Sequence, residues 1–185
     1  MSIVLDGTTG ITTPDVSVTA QSSDIVTSGN IEAVNATLSG GVYVGGTAAA
    51  NLLDDYEEGT WTVYAYDAAS GGTAAATTTT GSYTKIGNIV RMWLQLTNID
   101  TTGMSAGNYM FISLPFATNS ISSVGQAVLN NTSYNGRTNP YAYVPASYSR
   151  CRLQVQAEST TIDIVEVGWL TSGTTDIYVN MTYEV

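Results

Sequence analysis

The chain has 185 residues and a net charge of −10, from five Lys and Arg against fifteen Asp and Glu, with no His. Such an acidic balance argues against nucleic-acid and anionic-membrane binding, and the missing imidazole removes Ser/His/Asp and Cys/His catalysis and ordinary zinc sites. With 43% hydrophobic and only 11% charged residues the chain folds rather than staying disordered through charge, and its length suits one sizeable domain with an appendage.

The first residues, Met1 to Gly7, carry neither a basic stretch nor an apolar run, and nothing downstream approaches the roughly 18 apolar residues of a membrane helix. Synthesis in the cytosol without membrane insertion is expected. Lone Cys151 cannot form an intrachain disulfide.

Residues 1–47 are mostly Thr, Ser, Gly, Ala and Asn, with isolated aliphatics at Val16, Val18, Ile25, Ile31, Leu38, Val42 and Val44. One copy of so sparse a pattern buries no core, but symmetry copies could share an apolar axis. We read it as an extended oligomeric β stalk; a disordered linker has the same composition. Residues 48–59 are expected to form a short acidic helical collar: Ala48 to Ala50, Leu52 and Leu53 favour helix, and Gly59 suits its end. Its cluster of Asp54, Asp55, Glu57 and Glu58 has oxygen ligands for a hard cation but not the spacing of a calcium loop. A solvated collar is the simpler account, and neither metal nor cofactor is expected.

From residue 60 the period becomes two. Trp61, Val63 and Ala65 oppose Thr62, Tyr64 and Tyr66. Residues 68–82 read as a loop or flexible edge. Val90, Met92, Leu94 and Leu96 then point inward, with Arg91, Trp93, Gln95 and Thr97 outward. Further alternation covers Tyr109 to Leu114, Val124 to Leu129, Cys151 to Ala157 and Ile177 to Val185, with Ile162 to Val167 a strand of mixed parity, all divided by Gly, Ser, Asn and Thr. Cys151 shares the inward parity of Leu153 and Val155, which predicts a buried thiol. The expected class is all-β, an antiparallel jelly-roll-like β-sandwich head over 60–185 carried on the amino-terminal stalk.

The run Leu53-Asp54-Asp55-Tyr56-Glu57-Glu58-Gly59-Thr60-Trp61-Thr62, then Tyr83-Thr84-Lys85-Ile86-Gly87-Asn88-Ile89-Val90, with Leu114-Pro115-Phe116 as a later landmark, resembles a module of tail-fibre and other virion structural proteins of tailed bacteriophages. Val63 stands where that module usually has Pro. The resemblance implies a non-enzymatic homotrimeric virion protein, made in the host cytoplasm and displayed on the particle surface. Its implied partners are its own copies and other tail, baseplate or capsid proteins; a host cell-surface glycan is expected from the composition of the loops beyond Asn130. A capsid decoration or head-fibre protein is the alternative, since the chain is short for a host-range fibre.

Between Asn130 and Arg152 the alternation breaks into Tyr, Asn and Arg. Tyr134, Asn135, Arg137, Asn139, Tyr141, Tyr143 and Tyr148 are the candidate receptor-binding residues. Tyr rings stack on sugar faces while Asn and Arg reach hydroxyls and acids, the aromatic-polar mixture that paratopes use. Tyr141 and Tyr143, two apart, could equally pack against a neighbouring protomer. Acid–base catalysis has only the pairs Asp54/Asp55 and Asp163/Glu166, and the latter differ in parity; no catalytic residue is expected.

Overall fold

A computed structural model describes residues 35, 38, 40–45, 48–67, 74–133, 136–157 and 161–185. The chain divides between residues 37 and 38, and Leu38–Val185 forms the described unit. Most of the expected stalk therefore lies outside the described residues. Its last part, Val42–Tyr43 (β1), pairs antiparallel with Leu52–Leu53 (β2).

The remaining strands are β3 (Tyr56–Tyr66), β4 (Ala74–Ile86), β5 (Ile89–Leu96), β6 (Phe111–Ser113), β7 (Ser123–Asn130), β8 (Thr138–Val144), β9 (Arg150–Gln156), β10 (Ile162–Ile164) and β11 (Asp176–Glu184). All pairings are antiparallel, in the order β10-β9-β6-β3-β4-β5-β11-β7-β8, and β8 also pairs with β9. That last pairing closes eight strands into a barrel. β9 gives one edge to β8; its other edge is shared end to end by β6, opposite Arg150 to Arg152, and β10, opposite Gln154 to Gln156.

A closed barrel stands where the alternation suggested a two-sheet sandwich. Both architectures need one inward and one outward face per strand, so the pattern does not separate them. Val63, Val90, Met92, Leu96, Ile112, Leu153, Val155, Ile177 and Met181 fill the interior. An eight-stranded barrel is just wide enough for such side chains to pack across it. Each fully buried Val, Leu, Ile or Met contributes about 1.5–3 kcal/mol over its exposed state. Cys151 is buried within this core, as its parity predicts.

Two expectations are corrected. The helical collar over 48–59 is absent: only Ala49–Asn51 make a 3-10 turn, and from Tyr56 the chain is strand. Three residues are too few for a stable helix, whereas Tyr56, Glu57, Glu58 and Gly59 each gain a ladder partner in Ile86, Lys85, Thr84 and Tyr83. Gly59 is therefore a strand residue and not a cap. The Thr run read as a loop belongs to β4, with Thr78, Thr79 and Thr80 opposite Tyr64, Val63 and Thr62. β-branched threonines suit a pleated surface.

The motif residues form one hairpin system. Glu57 and Tyr83 are bonded through the Tyr83 hydroxyl, and Lys85 pairs with Asp55. β4 and β5 join through a two-residue turn, Gly87-Asn88, in which Gly87 has a φ of 57°. That position of a tight hairpin turn demands a positive φ, which glycine adopts without strain.

Candidate functional site

On β8 and β9, Ala142, Val144, Leu153 and Val155 point into the barrel, leaving Tyr141, Tyr143, Arg152 and Gln154 on its outer face. The register sets these side chains in two rows across the strands. One runs Val124, Tyr143, Arg152, Phe111; the other runs Gln126, Tyr141, Gln154, Ile164. With Ile162, most of both rows line a depression of about 500 Å³. Its rim is open and apolar, with Val124 65% and Ile162 58% exposed.

Arg152 supplies the charge. Its guanidinium lies 5.9 Å from the Phe111 ring centroid and 5.3 Å from that of Tyr148, while its buried Nε has no hydrogen-bond partner among the described residues. Stacking on rings orients an arginine without neutralising it. Phe111 has outward parity yet is 1% exposed, because Tyr66 and Arg152 flank it in the ladder. Arg150 sits 5.4 Å over Tyr66. The Tyr143 hydroxyl donates to Ser122 Oγ at 3.3 Å, which fixes the ring's tilt. Burial, with a smaller contribution from neighbouring Tyr143, raises the pKa of Tyr141, so its hydroxyl stays a neutral donor.

The other predicted residues separate by role. Tyr134 and Asn135 lie outside the described residues. Tyr148 packs partly on the core, and its backbone is held by Thr118, whose Oγ1 accepts from the Tyr148 N–H at 3.1 Å. Its ring reaches the face only through Arg152. Asn139 has a φ of 54° within the irregularity between Thr138 and Tyr141, where β8 carries an extra residue against β9. Such a bulge re-aims the side chains beyond it, so Asn139 turns Tyr141 and Tyr143 onto their rows.

Arg137 belongs to an adjoining depression of about 210 Å³ across β10, with Tyr109, Asp163, Glu166 and Trp169. Its Nε donates to Asp163 Oδ2 at 2.6 Å, and its guanidinium lies 4.5 Å above the Trp169 ring. Sequence parity separated Asp163 from Glu166, but the chain leaves the strand after Ile164, and both line this depression. Asp163 is engaged by Arg137.

No family model, curated protein or solved structure matches this chain. The site is therefore read from its own chemistry. Tyr141 and Tyr143 offer ring faces, Gln154 an amide that both donates and accepts, and Arg152 a cation for an acidic group. Among the described residues no group of three or more His, Cys, Asp and Glu side chains could hold a metal ion, and no helix is long and apolar enough to cross a membrane. Sequence reading placed Arg152 and Gln154 on an outer face but did not join them to the tyrosines. Register, which one strand does not carry, makes that connection.

Proposed function

We propose that this chain is a structural protein of a tailed-bacteriophage virion, a homotrimer that attaches to the particle through its amino-terminal region and holds host cell-surface glycan on the β8–β9 face. It works by binding and not by chemistry. The observation that carries this reading is the juxtaposition of Tyr141 and Tyr143 with Arg152, which has no ion-pair partner among the described residues. Sugar rings would stack on the tyrosines, a carboxylate would reach Arg152, and Gln154 would take hydroxyls. A carboxylate is favoured because arginine meets it with planar, charge-assisted hydrogen bonds.

Weak binding at one face is sufficient, since three copies on one particle act as a multivalent unit. The trimeric stalk remains part of this proposal, as does the particle surface as its location. The motif that resembles the phage module supports it as architecture: its glycines, aromatics and charges build the β3–β4–β5 hairpins and contribute nothing to the β8–β9 face.

The test is competition. Purified protein should reduce adsorption of the phage to its host, and Tyr143→Ala protein should not. Gold-labelled antibody should mark the fibres of intact particles; label over the shell lattice would favour the decoration reading, and no label on the particle would overturn both.

A further inference from the structure

The row through Tyr141 does not stop at β7. Gln126 lies opposite Asn180 on β11, and Asn180 opposite Trp93 on β5. The outer surface thus carries a single cross-strand line, Trp93–Asn180–Gln126–Tyr141–Gln154. Trp93 is 53% exposed at its far end. Three depressions follow the line: about 310 Å³ at Trp93, Gln126 and Asn180, about 410 Å³ at Gln126, Asn180 and Val124, and the 500 Å³ depression at Val124 and Tyr141. Each shares lining residues with the next.

The side chains along this line are chemically uniform. A ring stands at one end and another near the other, with amides between and beyond, and none is charged. Among the described residues, the Asn180, Gln126 and Gln154 amides make no side-chain hydrogen bond. Both arginines nearby fall in the adjacent row on the same side: Arg91 opposite Thr182, and Arg152 opposite Tyr143. Neither Arg91 nor Arg152 has an ion-pair partner among the described residues, so both can meet acidic substituents along one edge of the line.

We infer that this line is a continuous track for a linear polysaccharide laid across the strands, with its acidic substituents turned toward Arg91 and Arg152. Adjacent strands lie about 4.8 Å apart, so the four steps from Trp93 to Gln154 cover roughly 19 Å of surface. That is room for several pyranose rings, each meeting a ring face or an amide at every strand. The track extends the glycan reading of the β8–β9 face and rests on it. It adds that the ligand is an internal stretch of polymer and not a chain end, because the row continues past Trp93 to Ser82 on β4.

The test uses the full chain and size-fractionated oligosaccharides of hyaluronan and of deacylated gellan, both linear and each with one uronic acid per repeat. Affinity should rise by about tenfold or more between the shortest fragments and octasaccharides, and Trp93→Ala should remove about that factor for the long fragments alone. Val128→Glu, which sets an anionic side chain beside the Trp93 depression, should repel the acidic polymer and block the same increment without depending on the loss of the ring. Tyr141→Ala should weaken fragments of every length. Equal affinity at all lengths, or long-fragment binding indifferent to Trp93→Ala, overturns the track and leaves the β8–β9 site standing. Failure of every fragment, with no response to Tyr141→Ala, overturns both. Light scattering supplies the remaining outcome: an oligomer that dissociates on Trp93→Ala means that a second copy covers the line, and the track is wrong.

Discussion

Gly59 and Gly81 show how single residues set the architecture. Gly59 lies opposite Tyr83 and Gly81 opposite Trp61, and each glycine leaves its partner's ring room against the core. A Cβ on either would meet that ring directly. Gly81→Ala is therefore expected to cost about 1–3 kcal/mol through overpacking, read as a lower midpoint in thermal or denaturant unfolding. The motif that looks like a signature is in this sense a packing code, legible as a pattern but not as a mechanism until the two strands are in register. Cys151 was legible from parity alone. Burial pushes its thiol from an ordinary 9.0 up to about 12, and burial also raises Tyr183, whose hydroxyl donates to the Phe116 carbonyl at 3.1 Å. Both are acids whose folded pKa exceeds the unfolded one. Their contribution to stability is complete below the unfolded values and is lost as pH rises through the folded ones. The melting temperature should fall as pH climbs from 9.0 toward about 12, and Cys151→Ala should flatten that fall. A thiol that reacts with iodoacetamide in the native protein at pH 8 would contradict the assignment.

Among the elements, β8 decides the site. Its outward tyrosines were visible in the sequence, but the extra residue that aims them was not, since Asn139-Pro140 reads as an ordinary turn signal. Asn139 tolerates its left-handed conformation where a β-branched residue would not. Asn139→Gly should leave stability and glycan binding nearly unchanged, while Asn139→Val should cost about 1–2 kcal/mol and weaken binding by tilting Tyr141 and Tyr143. Chemical denaturation of both variants beside a binding isotherm checks this; binding lost in Asn139→Gly would make the amide itself a contact. The acidic segment before Trp61 misled for the opposite reason. Local helix propensity around Ala48 to Ala50 is genuine, but it is small beside the ladder that Glu57 and Glu58 join and the charge pairing of Asp55 with Lys85.

Across the whole molecule, alternation in six segments was enough to specify an all-β fold with the right inward faces. It was not enough to specify closure, because β9 looks the same in sequence whether it borders one strand or three. The same closure puts β7, β8 and β9 side by side on the outside, and so brings Arg152 to the tyrosines although eight residues and a turn separate them from Tyr143. The glycan-binding reading therefore depends on tertiary pairing more than on any motif. Its most direct test is titration of the purified chain with an acidic linear polysaccharide, wild type against Arg152→Gln, at low and high salt. A hydrogen bond to a charged group is worth about 1.5–3 kcal/mol, and about 1.4 kcal/mol is a factor of ten in affinity. Wild-type binding should weaken with salt, and Arg152→Gln should lose about tenfold at low salt; equal affinities for the two proteins would rule out a glycan site centred on Arg152.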